Sequence, residues 1–374
     1  MGVRRKYLLK QYKMKKHNFS AGPSILNHKV INKASKAVLD INNIGLSILE
    51  ISHRSQDFIE IIEETKKLTK KLLNIPNEYE ILFLQGGASL QFYMTALNFL
   101  NEDGCAGYIN TGTWSTKAII EAQKVGNIIT IASSEDQHFN YIPKKIICDK
   151  NIDYVHFTSN NTIYGTQFHD FQNIYDIAEK NNAKLMCDMS SDIFSKEIDV
   201  SKFDLIYAGA QKNIGPAGAT LIIIKKSSIL NNVHLPTYLN YKTHIEKKSM
   251  FNTPPVFSIY VAMLTLQWID EIGGLKKVEE NNYNKAKTMY QEIDRNPLFY
   301  GIVKTEDRSL MNITFNLKDS NLKMKFESMC EENGVTGIKG HRSVGGYRAS
   351  LYNALNIESV SVLIDIMQKL EKIA

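Results

Sequence analysis

The sequence predicts an α/β fold: a large domain with a mainly parallel sheet, followed by a smaller C-terminal α+β domain. Three observations predict it. Short apolar runs alternate with stretches of helical periodicity from about residue 80 to 224, which is typical of parallel strands joined by crossover helices. After the polar stretch 240–250 the pattern changes to longer helices with only two strands. A chain of 374 residues is also long enough for two domains.

Seven apolar runs are predicted strands of the large domain. They are 80–84, 106–110, 127–132, 153–158, 183–187, 204–208 and 218–224. Apolar residues at helical spacing predict helices between them at 90–100, 114–125 and 170–180, and an earlier helix over 56–74 that Pro76 ends.

The smaller domain is predicted from the elements that follow residue 255. These are helices 256–271 and 275–294, strand 311–317, helix 320–333, strand 345–351 and a closing helix from 357. We therefore expect a large domain over 14–255, whose first residues are candidates for packing on the small domain, and a small domain over 256–374.

The formal net charge of +6 belongs to the leading segment. Residues 1–17 contain no acidic residue and seven basic ones: Arg4, Arg5, Lys6, Lys10, Lys13, Lys15 and Lys16. The rest of the chain has a formal charge of −1, so nucleic-acid binding by the folded part is not expected. Residues 1–13 are predicted to be a disordered basic extension, and Met14 is a candidate for the true start.

Composition and cysteine spacing indicate a soluble protein without a metal. The chain is 43% hydrophobic and 22% charged, and no apolar run is long enough to cross a bilayer, so no membrane association is expected. The four cysteines lie far apart and match neither a metal-ligand spacing nor a redox pair: Cys105, Cys148, Cys187 and Cys330. We therefore expect free thiols, a reducing compartment and a cytoplasmic location.

Lys212 is the most informative single residue. It lies in the turn between two predicted core strands, within a run of small and apolar residues from Ala208 to Gly218. A lysine whose surroundings disfavour the protonated amine is a good nucleophile, and such a lysine holds pyridoxal phosphate as an imine in its enzymes. The alternative is that Lys212 is a solvated lysine in an ordinary turn.

Two polar sites follow other predicted strands. Gln85-Gly86-Gly87-Ala88-Ser89 lies between a strand and a helix, where backbone amides and the Ser89 hydroxyl could bind a phosphate. Asp188 ends the run Ala183 to Cys187, at the edge of a parallel sheet where ligands usually bind. A carboxylate there could keep a pyridinium nitrogen protonated, or it could simply cap the next helix.

Aromatic and basic residues complete the candidate set. Trp114 follows a predicted strand and could cover a planar cofactor, although packing in the core would also explain it. His53-Arg54 and His341-Arg342 stand in polar loops, and Arg348 follows the second pair. Arginine binds carboxylate and phosphate oxygens through two hydrogen bonds, so these residues indicate a substrate with more than one anionic group.

Together these motifs resemble the phosphoserine aminotransferases, class-V aminotransferases of fold type I that use pyridoxal 5′-phosphate. The resemblance runs from Asn18-Phe19-Ser20-Ala21-Gly22-Pro23 to Arg348-Ala349-Ser350-Leu351-Tyr352-Asn353. Its most specific parts are Ala208 to Gly218, Ser249 to Pro255 and Gly340 to Arg348.

The resemblance implies a role for each residue. Lys212 would hold the cofactor and move a proton at the substrate α-carbon, Asp188 would pair with the ring nitrogen, and Trp114 would stack on the ring beside Thr162. The phosphate contacts implied by the resemblance are Ala88, Ser89 and Gln211, joined by Asn252 and Thr253 of the partner subunit. The implied substrate contacts are Arg348 for the α-carboxylate, and His341 and Arg342, with His53 and Arg54 of the partner subunit, for the second anionic group. A homodimer with shared sites is implied.

One position departs from the family pattern, because this chain has Ser89 where certain members place an arginine beside the phosphate loop. The expected reaction is reversible amino transfer between L-glutamate and 3-phosphohydroxypyruvate in serine synthesis. The sequence leaves open whether 4-phosphohydroxy-L-threonine is also a substrate. Two rival hypotheses are a cysteine desulfurase or lyase of the same fold, with Cys330 as the candidate thiol, and a cofactor-binding protein without turnover.

Overall fold

The computed structural model describes residues 16–230 and 234–374. The predicted extension 1–13 and the candidate start Met14 lie outside the described residues. The strands are β1 (His17–Asn18), β2 (Tyr79–Leu84), β3 (Cys105–Asn110), β4 (Asn127–Ser133), β5 (Tyr154–Thr158), β6 (Lys184–Asp188), β7 (Leu205–Gly209), β8 (Thr220–Lys225), β9 (Phe299–Gly301), β10 (Asn312–Leu317), β11 (Val335–Thr336) and β12 (Tyr347–Ser350). The α-helices are α1 (His28–Leu39), α2 (Gln56–Leu72), α3 (Gly87–Phe99), α4 (Thr113–Gln123), α5 (Gln172–Lys180), α6 (Tyr241–Glu246), α7 (Val256–Glu271), α8 (Gly274–Arg295), α9 (Lys323–Glu332) and α10 (Ile357–Glu371).

The large sheet has seven strands in the order β2-β8-β7-β6-β5-β3-β4. The neighbours from β7 to β4 pair in parallel, while β8 pairs antiparallel with both β7 and β2. The prediction of a mainly parallel sheet is therefore confirmed. Six of the seven strands, β2 to β7, run in one direction, so the turns after them meet at one edge of the sheet.

Both faces of this sheet are covered, which explains why its strands read as continuous apolar runs. On one face, Tyr108, Met186 and Ile222 pack against Phe92 and Phe99 of α3. On the other face, the alternate strand residues pack against α2 and α7 in the largest core cluster. The carboxyl edge of the sheet lies between these two apolar layers.

Helix α7 packs differently from the sequence expectation. The prediction placed 256–271 at the start of the small domain, yet Ile259, Val261, Leu264 and Leu266 are buried in the core of the large sheet, where α7 lies against α1 and α2. Because the helix is apolar around most of its circumference, it needs a large apolar surface on several sides. This packing favours a domain boundary later than residue 256.

The second core lies around the three-stranded antiparallel sheet β12-β10-β9. Phe315 and Tyr347 of this sheet pack with Phe326 of α9 and with residues of α10. The first described residues join this core, since β1 pairs in parallel with β11 and Phe19 is fully buried there.

Some elements differ from the predicted ones at their ends. Helix α3 begins at Gly87, three residues before the predicted start near Leu90, because Gly86 has a φ of 92° and acts as the N-cap in the left-handed region. The helices α1 and α6 and the short strands β1, β9 and β11 were not predicted. No helix in the two described ranges is long and apolar enough to span a bilayer.

Candidate active site

Lys212 lies in a tight turn between β7 and β8. The turn is closed by backbone hydrogen bonds from Ala210 N to Ala219 O at 3.0 Å and from Gly215 N to Ala210 O at 2.7 Å. The Gln211 side chain folds back over Gly209, where an added Cβ would lie 2.6 Å from its Oε1. A larger residue at position 209 would displace the end of the Gln211 side chain, while the backbone hydrogen bonds hold the Lys212 backbone in one place.

A second set of contacts fixes the same turn from outside the large sheet. Ser24 donates its backbone N–H to Gln211 O at 2.9 Å and its hydroxyl to Lys212 O. Asn213 donates to Ile193 O at 3.1 Å and accepts from the backbone N–H of Asn353 at 3.1 Å. Ser24, near the start of the described chain, and Asn353, just after β12, therefore both support the turn that carries Lys212.

Burial controls the charge of Lys212. It lowers the pKa of the amine from 10.5 to about 8, while the carboxylates of Asp188 and Asp192 oppose that shift and Arg348 adds to it. Close to half of the amine is then neutral at a mildly alkaline pH, which is the form that attacks a carbonyl carbon.

Asp188 ends β6 and is 4% exposed. Its Oδ1 accepts hydrogen bonds from the Ser190 backbone N–H at 2.9 Å and from the Ser190 hydroxyl at 2.6 Å. Burial raises the pKa of this carboxyl, and the Lys212 ammonium opposes the change. Among the described residues no hydrogen bond reaches Oδ2, so this oxygen is available to a cationic N–H.

Trp114, Thr162 and Arg348 form a chain of contacts across the site. The Trp114 indole N–H donates to Thr162 Oγ1 at 2.8 Å, and Arg348 Nη1 donates to Thr162 O at 2.8 Å. The Lys212 Nζ lies 5.9 Å from the centroid of the Trp114 ring. Arg348 is on β12, so this chain connects the small sheet to the edge of the large one.

The Arg348 guanidinium is incompletely satisfied. Its Nε is buried and has no hydrogen-bond partner among the residues that the structure describes, and burial lowers the pKa of the group. A buried donor without a partner is costly unless a ligand supplies an acceptor. A carboxylate bound at this point would satisfy it.

The glycine turn after β2 is a second anion-binding feature. Gly86 and Gly87 have positive φ values of 92° and 65°, and α3 begins at Gly87. The first turn of the helix, which includes Ala88 and Ser89, therefore presents amide N–H groups that have no partner within the helix. Ser89 is exposed at this end.

The structure does not bring four of the predicted residues to Lys212 within one protomer. Asn252 donates to Gln85 Oε1 at 3.1 Å, beside the glycine turn. His53 and Thr253 line a separate cavity of about 560 Å³ that does not include Lys212. Arg54 is exposed next to it. These residues form a patch on the surface of the protomer.

His341 and Arg342 lie in an exposed loop before β12. The His341 Nδ1 is 2.7 Å from the Ser343 hydroxyl. Burial and the charges of Arg348, Arg342 and Lys117 lower the pKa of His341. The loop thus places the Arg342 cation and a largely neutral His341 near Arg348 and Lys117.

Two polar contributors were not predicted. Asp192 is buried, accepts from the Ser159 hydroxyl and from Gln167 at 3.2 Å, and acts electrostatically on Lys212. Lys117 stands one helical turn after Trp114. The only sequence signal for Asp192 was a second acid four residues after Asp188. No group of three metal-ligating side chains occurs within the described ranges.

These residues fit a flat, phosphorylated aldehyde cofactor. Lys212 supplies a partly neutral amine, Asp188 a buried carboxylate, Trp114 an aromatic face, and the α3 N-terminus an anion site. Comparison with known proteins supports the same conclusion. The sequence model described as Aminotransferase class-V matches residues 16–363.

Relatives and solved structures cover nearly the whole chain. The phosphoserine aminotransferase of Flavobacterium johnsoniae is 52% identical over 360 residues, covering 96% of this chain and 99% of that protein. A solved phosphoserine aminotransferase, studied for radiation damage of its Schiff base, is 44% identical, covers 96% of this chain and all of its own, and superposes with a TM-score of 0.92.

A pyridoxal-phosphate-bound phosphoserine aminotransferase from Trichomonas vaginalis is 34% identical and covers 95% of this chain and 100% of its own, with a TM-score of 0.88. The family model and these full-length similarities agree with the arrangement around Lys212. The chain therefore belongs to the class-V aminotransferase family, among the phosphoserine aminotransferases.

Proposed function

We propose that this chain is a pyridoxal-phosphate-dependent phosphoserine aminotransferase. It would move an amino group reversibly between L-glutamate and 3-phosphohydroxypyruvate, giving 2-oxoglutarate and O-phospho-L-serine for serine synthesis. The observation that carries the proposal is the placement of Lys212, with its pKa lowered to about 8, opposite the buried Asp188 and beside the unsatisfied Arg348.

Each of the site's side chains has a separate role in the proposed reaction. Pyridoxal phosphate, when bound, supplies an electron sink for the electron pair left at the substrate α-carbon. Lys212 holds the cofactor and then moves the proton at that carbon, Asp188 keeps a positive charge at the ring nitrogen, and Trp114 covers the ring. Arg348 orients the substrate by its α-carboxylate.

The phosphate ends of cofactor and substrate would be held separately. Ala88, Ser89 and Gln211, with Asn252 and Thr253 of the partner subunit, would hold the cofactor phosphate. His341 and Arg342, with His53 and Arg54 of the partner subunit, would bind the substrate's second anionic group. Two anion sites of this kind would use the basic and amide groups that the proposal brings together around one lysine.

A direct assay tests the proposal. Cofactor-loaded protein is incubated with O-phospho-L-serine and 2-oxoglutarate, and glutamate formation is measured. Amino transfer is expected, and its absence would contradict the proposed function. The same assay with 4-phosphohydroxy-L-threonine tests the second substrate that the sequence left open.

The structure disfavours the desulfurase hypothesis. Cys330 is buried, and burial raises the pKa of its thiol to about 12, so little reactive thiolate forms near neutral pH. All four cysteines are unpaired, which supports the proposed reducing, cytoplasmic location.

Cofactor capture should depend on pH. Because only the neutral Lys212 amine attacks the aldehyde, the rate at which cofactor-free protein takes up pyridoxal phosphate is expected to rise as pH increases through about 8. The Asp188 charge raises the pKa of Lys212, so Asp188→Asn should move the midpoint to lower pH. Stopped-flow absorbance across pH 6 to about 10 measures both. A midpoint that stays near 10.5 would contradict the burial argument.

Arg348 should set the affinity for every amino-acid substrate. We expect Arg348→Gln to raise KM for glutamate and phosphoserine alike by about 10- to 100-fold, since a charge-assisted pair is lost. Steady-state kinetics with both substrates provide the measurement. His341→Gln is the matched comparison. Its effect on KM should differ between glutamate and phosphoserine, because His341 is proposed to bind the substrate's second anionic group. An Arg348→Gln effect confined to phosphoserine would contradict the α-carboxylate role.

We also propose a homodimer with shared sites. Large apolar side chains are exposed at the surface patch: Leu49 lines the same cavity as His53 and Thr253, and Phe251 precedes Asn252 in the chain. Such a group of exposed apolar residues supports an interface beside His53 and Thr253. A partner docked there would add that patch to the Lys212 site of the opposite protomer.

Mixing two inactive variants tests the sharing. Lys212→Met and Arg54→Leu protomers are each expected to have little activity alone. If each site combines Lys212 of one protomer with Arg54 of the other, random pairing restores about a quarter of the wild-type sites. Activity after co-expression is the readout, with size-exclusion light scattering to count subunits. No gain over the separate variants would contradict shared sites.

A further inference from the structure

The further inference concerns Lys117, which no motif singled out. Its Nζ lies 4.8 Å from the centroid of the Trp114 ring, while the Lys212 Nζ lies 5.9 Å from the same centroid. Both lysines therefore contact the aromatic ring that is proposed to cover the cofactor. Trp114 itself is fixed by its hydrogen bond to Thr162.

Lys117 has no acidic partner in the described part of the chain. The carboxylate of Glu121, one turn further along α4, instead forms an ion pair with Lys124 at 2.7 Å. Lys117 is exposed, so its side chain is free to turn toward a ligand. An ammonium that lies over an aromatic ring and has no carboxylate partner can still pair with an anionic ligand.

Lys117 also belongs to a group of cations around the substrate position. Its charge acts on His341 together with Arg342 and Arg348, all three of which lower the pKa of that histidine. The four side chains come from α4, the loop before β12, and β12 itself. Repulsion among them in the absence of ligand is relieved when a dianion binds between them.

We propose that Lys117 is a further specificity residue, a same-protomer ligand for the phosphate or distal carboxylate of the substrate. The inference rests on the proposed function, since it needs a substrate with two anionic groups. Lys117 occupies the Trp114 face before substrate binds and selects dianionic over monoanionic amino acids. It also adds a cation from α4 to the charges contributed by β12 and the loop before it.

The test compares Lys117→Met, Lys117→Arg and the matched control Lys124→Met from the same helix. The chain has two tryptophans, so a Trp268→Phe background leaves Trp114 as the only tryptophan reporter. Cofactor-loaded protein, whose own phosphate site is filled, is titrated with inorganic phosphate while Trp114 fluorescence is followed. Lys117→Met is expected to weaken phosphate binding about tenfold, Lys117→Arg to restore most of it, and Lys124→Met to change it by less than about twofold.

A second readout separates charge from packing. Removing the Lys117 charge should raise the pKa of His341, measured by histidine NMR with the resonance assigned by its loss in His341→Gln. Lys117→Arg and Lys124→Met should leave that pKa unchanged. If Lys117 has a merely structural role, the His341 pKa should not rise in Lys117→Met and return to the wild-type value in Lys117→Arg.

For Lys117→Met we expect KM for phosphoserine to rise about tenfold and kcat to stay within about twofold of wild type. Equal phosphate affinity in Lys117→Met and wild type, or an equal loss in Lys124→Met, overturns the inference. The phosphate and NMR measurements need no turnover. A protein that fails the phosphoserine assay but shows the Lys117-dependent phosphate site would therefore disprove the proposed function and support this inference.

Discussion

Replacing Lys212 with methionine is expected to lower kcat for amino transfer by at least about 10⁴-fold. In the proposed mechanism, the variant removes both the amine that holds the cofactor and the group that moves the α-proton. Its side chain has similar length and fits the same partly buried place, so the turn closed by Ala210 and Gly215 should remain folded. Steady-state kinetics and circular dichroism measure the two effects.

Two further variants test whether the loss of activity is specific to the nucleophilic amine at position 212. Lys212→Arg keeps a positive charge but gives no nucleophilic amine at ordinary pH, so it should be as inactive as Lys212→Met. Lys225→Met, at the end of β8, removes a lysine outside the site and should keep normal activity. Borohydride reduction followed by peptide mapping should label Lys212 in the wild-type protein. Substantial turnover by Lys212→Met, or labelling at another lysine, would refute the assignment.

Asp188→Asn is expected to lower kcat by about 10²- to 10³-fold, the cost of removing one preorganised charge from a buried site. The asparagine keeps the size of the side chain, and its amide oxygen can still accept from Ser190. What is lost is the negative charge that is proposed to hold a proton on the ring nitrogen. Steady-state kcat and the absorbance spectrum of the bound cofactor provide the measurements.

The Asp188 prediction has a chemical control. A cofactor analogue methylated at the ring nitrogen carries a permanent positive charge, so it should recover much of the activity lost in Asp188→Asn. Asp176→Asn, an exposed acid on α5, should leave kcat unchanged. If the analogue fails to help Asp188→Asn, or if that variant keeps normal kcat, Asp188 acts through something other than the ring nitrogen.

The sequence predicted the large sheet well because its strands are buried on both faces. A strand such as β6 or β7 has no polar face, so it appears as an uninterrupted apolar run with a clear end. Helix α7 shows the limit of this reasoning. Its apolar residues predicted a helix correctly, but periodicity alone does not say which of two cores receives that helix.

The site was predictable where a turn follows a parallel strand. Lys212, Asp188 and Trp114 each follow such a strand, so their meeting at one edge is a consequence of topology. The electrostatic effect of Asp192 on Lys212 and the proposed role of Lys117 depend on distances between separate elements, which spacing along the chain does not encode. The depressed pKa of Lys212 likewise results from burial in the folded protein, and the sequence contains no direct sign of it.

The segment from His17 to Ser24 joins parts of the molecule that are distant in sequence. It adds β1 beside β11, accepts a hydrogen bond from Tyr352 Oη at Ala21 O at 2.9 Å, and ends on the turn that carries Lys212. A cut in the peptide backbone between residues 18 and 24 would therefore remove one support of the Lys212 turn. The hydrogen bonds from Asn353 to Asn213 and from Arg348 to Thr162 would remain. Proteolytic nicking at this point is expected to loosen the support of the Lys212 turn while leaving every side chain of the site in place.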